Sequence, residues 1–96
     1  MNRIDSRTRL QRSSDASYQV VAGEAIVIHL KTGVYYSLNE VGTAFWDLMD
    51  GTLSIADCAQ RISDMLVDDR PPLAVIVADL SEVGEKLVSE NLAMVR

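Results

Sequence analysis

Apolar residues change their spacing once along this chain, and the point of change fixes most of what it can fold into. Tyr18, Val20 and Ala22 fall on one face of an extended segment, which Gly23 breaks. From Glu24 to Leu30, Ile26, Ile28 and Leu30 share one face while Val27 and His29 share the other. Val34, Tyr36 and Leu38 then alternate with Tyr35 and Ser37. A period of two is the mark of β-strands. Lys31-Thr32-Gly33 between the last two runs reads as a tight turn, with Gly33 supplying a positive φ. The pattern predicts a three-stranded antiparallel meander whose central strand is apolar enough for burial on both faces.

Beyond Asn39 the spacing is helical. Val41, Phe45, Leu48 and Met49, with Trp46 beside them, line a first helix that Asp50-Gly51 ends. Its N-cap is either Ser37, in a capping box with Glu40, or Asn39. Ser54 begins a second helix by the same logic, with Ile55, Cys58, Ala59, Ile62, Met65 and Leu66 as its core face. Asp68-Asp69-Arg70-Pro71-Pro72 interrupts it, since proline lacks an amide donor and restrains its predecessor. A third helix is expected from Leu73 to Ser89, with Ile76, Val77, Leu80, Val83, Gly84 and Leu87 as its stripe. Asn91 takes the C′ position, and Leu92, Met94 and Val95 close as a short docked tail. The expected fold is therefore α+β and winged-helix-like, a three-stranded antiparallel sheet followed by three helices, over residues 17–96. Residues 1–16 have no apolar period and read as a flexible N-terminal arm, although Thr8 to Arg12 has the length of a short strand.

Charge then narrows the partners. Residues 1–16 carry a net +2 and residues 17–96 a net −7. A body that acidic repels phosphate backbones, which argues against nucleic acid as a partner. The winged-helix regulator remains the competing reading of the fold, but its second helix offers Arg61 among Asp57 and Asp64. A small interaction module without a peptide groove is a third reading. No apolar run approaches the roughly 20 residues that span a bilayer, so no membrane partner is expected. One cysteine forms no intramolecular disulfide and suits a reducing, cytoplasmic setting.

Catalytic material is missing as well. His29 and Cys58 are single residues on unrelated elements, which gives neither a metal set nor a nucleophile–base pair. His29 reads as a polar-face strand residue and Cys58 as a small core residue. Asp47, Asp57, Asp64, Glu82 and Glu85 fall on polar helix faces, and the five glycines form no phosphate loop. The expectation is a chain without catalysis, cofactor or metal, one that works by holding a partner.

The third strand suggests where. Edge strands are normally blunted by Pro, Lys or inward charge, and Val34-Tyr35-Tyr36-Ser37 has none of these. Its backbone is open to an extended peptide, the β-augmentation mode. It equally invites self-pairing into a homodimer. The last helix is the candidate wall, because Leu73, Val75 and Ala78 add apolar surface beyond its core stripe and Asp79 and Glu82 add charge. Val75 and Ala78 are also readable as a widening of that stripe.

Gly33-Val34-Tyr35-Tyr36-Ser37-Leu38-Asn39-Glu40, followed by Gly42, Trp46, Asp50-Gly51 and Asp57, then Asp79-Leu80, Leu87 and Asn91-Leu92, resembles the PqqD-like family. The resemblance covers about residues 18–95. It implies a precursor-peptide recognition element of a ribosomally made, modified peptide, which binds a leader segment as an added strand against the third strand and third helix. The Tyr-Tyr-x-Leu-Asn pattern is more like the free-standing leader-binding proteins of lasso-peptide pathways. The pyrroloquinoline-quinone branch, a peptide chaperone and the alternative here, tends to carry Leu-x-Pro-Glu where this chain has Ser37-Leu38-Asn39-Glu40. Carried over by position, the resemblance implies backbone pairing at Val34, Tyr35, Tyr36 and Ser37. It implies a groove drawn from Leu73, Val75, Ile76, Asp79, Leu80 and Val83, several of which must serve the core instead. It further implies a separate processing enzyme, a leader peptidase of the cysteine-protease type, as second partner.

Overall fold

The computed structural model describes residues 4–96. Four strands come first: β1 (Arg9–Arg12), β2 (Ala16–Val21), β3 (Glu24–His29) and β4 (Tyr35–Leu38). They are followed by α1 (Glu40–Leu48), β5 (Asp50–Ser54), α2 (Ile55–Met65), α3 (Leu73–Ser89) and β6 (Ala93–Val95). The expected meander is present as an antiparallel sheet of order β2-β3-β4. With three helices behind it, the layout is the α+β, strand-then-helix order that the sequence predicts.

Each helix starts and stops for a local reason. Asn39 rather than Ser37 caps α1, its side chain accepting from the Gly42 amide at 2.8 Å. Ser54 and Asp57 form a reciprocal capping box at the start of α2. Pro72 stands at the N-cap of α3. Its far end is a Schellman turn: Asn91 has φ 60°, its amide donates to the Val88 carbonyl, and the Leu92 amide donates to the Leu87 carbonyl at 2.8 Å. Leu87 and Leu92 are both fully buried there. The Ser54 amide and hydroxyl hold the Asp57 carboxyl below the usual range, as the Thr52 hydroxyl and amide do for Asp50. With folded values below the ordinary 3.8, the stabilisation they bring is complete above that pH and is lost as pH falls through the lower folded values.

The N-terminal segment departs from the expected arm and takes the alternative, a short strand within Thr8 to Arg12. Arg9–Arg12 is the centre strand of a second sheet, order β5-β1-β6, and pairs antiparallel with both neighbours. Leu10 is 2% exposed and Ile4 is buried beside it. Arg12 donates from Nη1 to the carbonyls of Trp46 (2.7 Å) and Asp47 (3.0 Å). A cation thus meets the negative end of α1, whose last turn has no basic residue of its own. The second sheet lies under α3 because Gly84 lets it: a Cβ at that position would stand 2.8 Å from Leu10 Cδ1.

Two further expectations change. The central strand is not buried on both faces: Ala25, Val27 and His29 point into the core, whereas Ile26, Ile28 and Leu30 are exposed. Small side chains face inward because α1 packs close, near enough for Thr43 Oγ1 to accept from the Ala25 amide at 2.8 Å. His29 is accordingly not on a polar face. It is 6% exposed, and its Nδ1 accepts from the amides of Lys31 (3.2 Å) and Thr32 (3.3 Å), pinning the β3–β4 turn. Cys58 sits in the core as a small apolar residue, and burial, aided by the charges of Asp57 and Asp50, pushes its thiol up to about 11. Among the described residues, no helix is long and apolar enough to cross a membrane, and no His, Cys, Asp or Glu cluster is placed to hold a metal.

Candidate functional site

Among the described residues, the outer margin of β4 pairs with no strand. Which of its groups face outward follows from parity. The His29 amide donates to the Val34 carbonyl at 2.8 Å, and Val27 and Ala25 stand opposite Tyr36 and Leu38. Backbone groups of alternate residues point to opposite sides of a strand, so Tyr36 and Leu38 face β3 while Tyr35 and Ser37 face away. Of the four residues expected to pair with a guest, two present an amide and a carbonyl each. Val34 has already committed its carbonyl inward.

The strand end is held from behind by Thr43. Its hydroxyl accepts from the Ala25 amide and donates to the Leu38 carbonyl at 3.4 Å, bridging the two strands where the ladder opens into α1. Thr43 is buried. Thr43→Val keeps the shape and strands both groups, which should cost about 1–3 kcal/mol. The same variant should raise amide exchange at Ala25, measured by hydrogen exchange.

A groove of about 350 Å³ runs beside this margin. Tyr36 forms its strand side, and Asn39, Val41 and Gly42 its end at the start of α1. Asp79, Leu80, Glu82, Val83 and Lys86 of α3 form the facing wall. Asp79 and Val83 thus border the groove, as the resemblance implies. Leu80 borders it too but is fully buried, and Ile76 is buried in the core outside it. Leu73 and Val75 are exposed at the start of α3, outside the groove lining. Val75 nonetheless lies one turn before Asp79 on the same helical face, and neither it nor Ala78 widens the core. Glu82 and Lys86 complete the wall, as their i+3 and i+7 spacing from Asp79 allows. Asn39, Val41 and Gly42 enter only because the cap of α1 turns the chain back under α3, which no local spacing reveals.

Half-buried Tyr36, Val41 and Val83 give the groove apolar surface, and its rim is charged. Asp79 and Glu82 bring two negative charges against the one positive charge of Lys86. The ion pair found among the described residues lies elsewhere, between Lys31 and Asp15 at 3.7 Å. The rim charges are available to a guest. An extended segment laid along β4 would place alternate side chains over this groove.

The chain resembles known proteins in sequence and in fold. Residues 24–93 match the family model described as coenzyme PQQ synthesis protein D (PqqD). The fold is similar to a solved structure described as TbiB1 in complex with the TbiA(beta) leader peptide, with a TM-score of 0.71 and 23% identity over 86% of this chain and 93% of the other. No curated protein matches the chain. The family model spans both the vacant strand and the helix facing it, and on that match the chain belongs to the PqqD family.

Proposed function

We propose that this protein is a non-catalytic leader-peptide-binding protein. It takes the leader of a ribosomally made precursor as an added strand on β4 and presents the precursor to a separate processing enzyme. The pathway we favour is a lasso-peptide pathway, with a cysteine-type leader peptidase as that enzyme and the cytoplasm as its setting. The observation that carries the reading is the β4 margin, unpaired among the described residues, directly beside a groove lined by apolar and charged side chains. The similar structure with a leader peptide in its description supports it. Presentation needs no catalytic group here, because tethering raises the substrate concentration at the enzyme.

The magnitudes are adequate. Four backbone bonds at about 1 kcal/mol each and two anchored apolar side chains at about 2 kcal/mol each favour binding. Ordering the peptide opposes it by about 2–5 kcal/mol. The remainder, about 3–6 kcal/mol, corresponds to a Kd between millimolar and tens of micromolar before rim contacts are added.

The test is a calorimetric titration with a synthetic peptide spanning the leader encoded beside this chain. Saturable binding at tens of micromolar or tighter is expected. For a leader with a basic residue at the rim, Asp79→Asn with Glu82→Gln should weaken binding about threefold to tenfold, and less at high salt. No heat of binding up to about 1 mM, a bare 4 kcal/mol, would overturn the proposal.

A further inference from the structure

Among the described residues, the meander has a second open margin. The Leu30 amide donates to the Asp15 carbonyl at 2.8 Å, and Ser17, Gln19 and Val21 stand opposite Ile28, Ile26 and Glu24. By the parity that orients β4, the odd residues of β2 face β3, and Ala16, Tyr18 and Val20 turn their backbone outward. This margin is six residues long, against four for β4, and holds neither proline nor any charge. Tyr18 and Val20 are 46% and 48% exposed, and Val21 is exposed beside them. Natural edges of this kind are blunted; this one is not.

We propose that β2 is a homodimer seam, at which two copies of the chain pair antiparallel about a two-fold axis at Tyr18. The occupant follows from self-complementarity. In that register the Tyr18 amide of each copy donates to the Tyr18 carbonyl of the other. The Val20 amide of each likewise donates to the Ala16 carbonyl of the other. The Ala16 amide needs no partner, since it already donates to the Ser13 carbonyl at 3.1 Å. Four bonds form and no outward amide is stranded. An uncharged strand meets its own copy without repulsion, which matters for a chain of net charge −5. The two tyrosines, each edge-on to Trp46 of its own copy with ring centroids 5.8 Å apart, become neighbours across the axis. β4 is the poorer seam, with two outward residues and a charged rim alongside. The product is a six-stranded sheet with a vacant β4 at each end, so the inference stands independently of leader binding.

Sedimentation equilibrium of the full chain, from about 10 to 500 µM, tests it by mass action. The mass should rise from 10.6 kDa toward twice that value. Val20→Lys puts a charge on the seam, and Tyr18→Pro removes an amide that β3 does not use. Both should return the chain to monomer with an unchanged circular dichroism spectrum, whereas Tyr35→Pro should leave the dimer intact. Should Tyr18→Pro misfold, Val20→Lys decides alone. A monomer throughout the range, a dimer indifferent to Val20→Lys, or one lost on Tyr35→Pro instead would overturn the proposal.

Discussion

Replacing Tyr35 with proline is expected to lower affinity for the leader peptide at least tenfold while the domain remains folded. The Tyr35 amide points away from β3, so its loss removes no ladder bond. Proline is tolerated on an edge strand when its missing donor faces outward. A guest strand loses that donor and meets the ring where it must lie flat. One backbone bond of about 1 kcal/mol plus the steric misfit passes the 1.4 kcal/mol that marks a tenfold change. Tyr36→Pro is the control with the opposite profile. Its amide faces Val27, so proline there breaks the sheet and should lower the melting temperature by several degrees. Titration of both variants, each with a thermal melt, separates an edge effect from a folding effect.

The largest stability effect is expected at Leu10, within the segment that reads as an arm. Leu10→Ala should destabilise the domain by about 2–5 kcal/mol, the cost of removing a fully buried leucine from a packed site. Gly84→Ala presses on the same spot from the other side, with its new methyl 2.8 Å from Leu10 Cδ1. Overpacking at about 1–3 kcal/mol opposes a gain of about 1 kcal/mol in helix propensity. The pair should therefore couple. Once Leu10 is alanine, the extra methyl has room, and Gly84→Ala should become neutral or stabilising. A double-mutant cycle by chemical denaturation reads this directly; strict additivity would mean that β1 does not pack on α3.

What the sequence made legible was local. The capping box at Ser54, the double proline before Leu73 and the asparagine at position 91 each announce a helix end through a group a few residues away, and α3 runs from Leu73 to Ser89 as expected. The second sheet was illegible for the converse reason, although Thr8 to Arg12 has the length of the strand at its centre. Arg9–Arg12 holds one buried apolar residue among charged and polar ones, and its partners lie about 40 and 80 residues further along the chain. The faces of β3 differ from the expectation because an apolar strand can be covered on both faces, and here the helices cover only one. Ala25 faces inward because Thr43 must reach its amide, and the larger Ile26 and Ile28 are left outside. At the groove, spacing along α3 puts Ile76 and Leu80 in the core stripe and Val75 beyond it, as the structure has them. The resemblance, which carries positions and not faces, put all three in the groove together with Asp79 and Val83. Period two revealed that β4 had two faces, but only the bond from His29 to Val34 shows which of its residues offer their backbone to a guest.

Two-dimensional amide spectra recorded while the synthetic leader is added should show the Tyr35 and Ser37 amides shifting and becoming slow to exchange, with further shifts across Asp79 to Lys86. The amides of Tyr18 and Val20 should stay where they were. Leader binding that leaves Tyr35 and Ser37 unshifted and still fast to exchange, with its effects centred on β2 or α2 instead, would contradict the account.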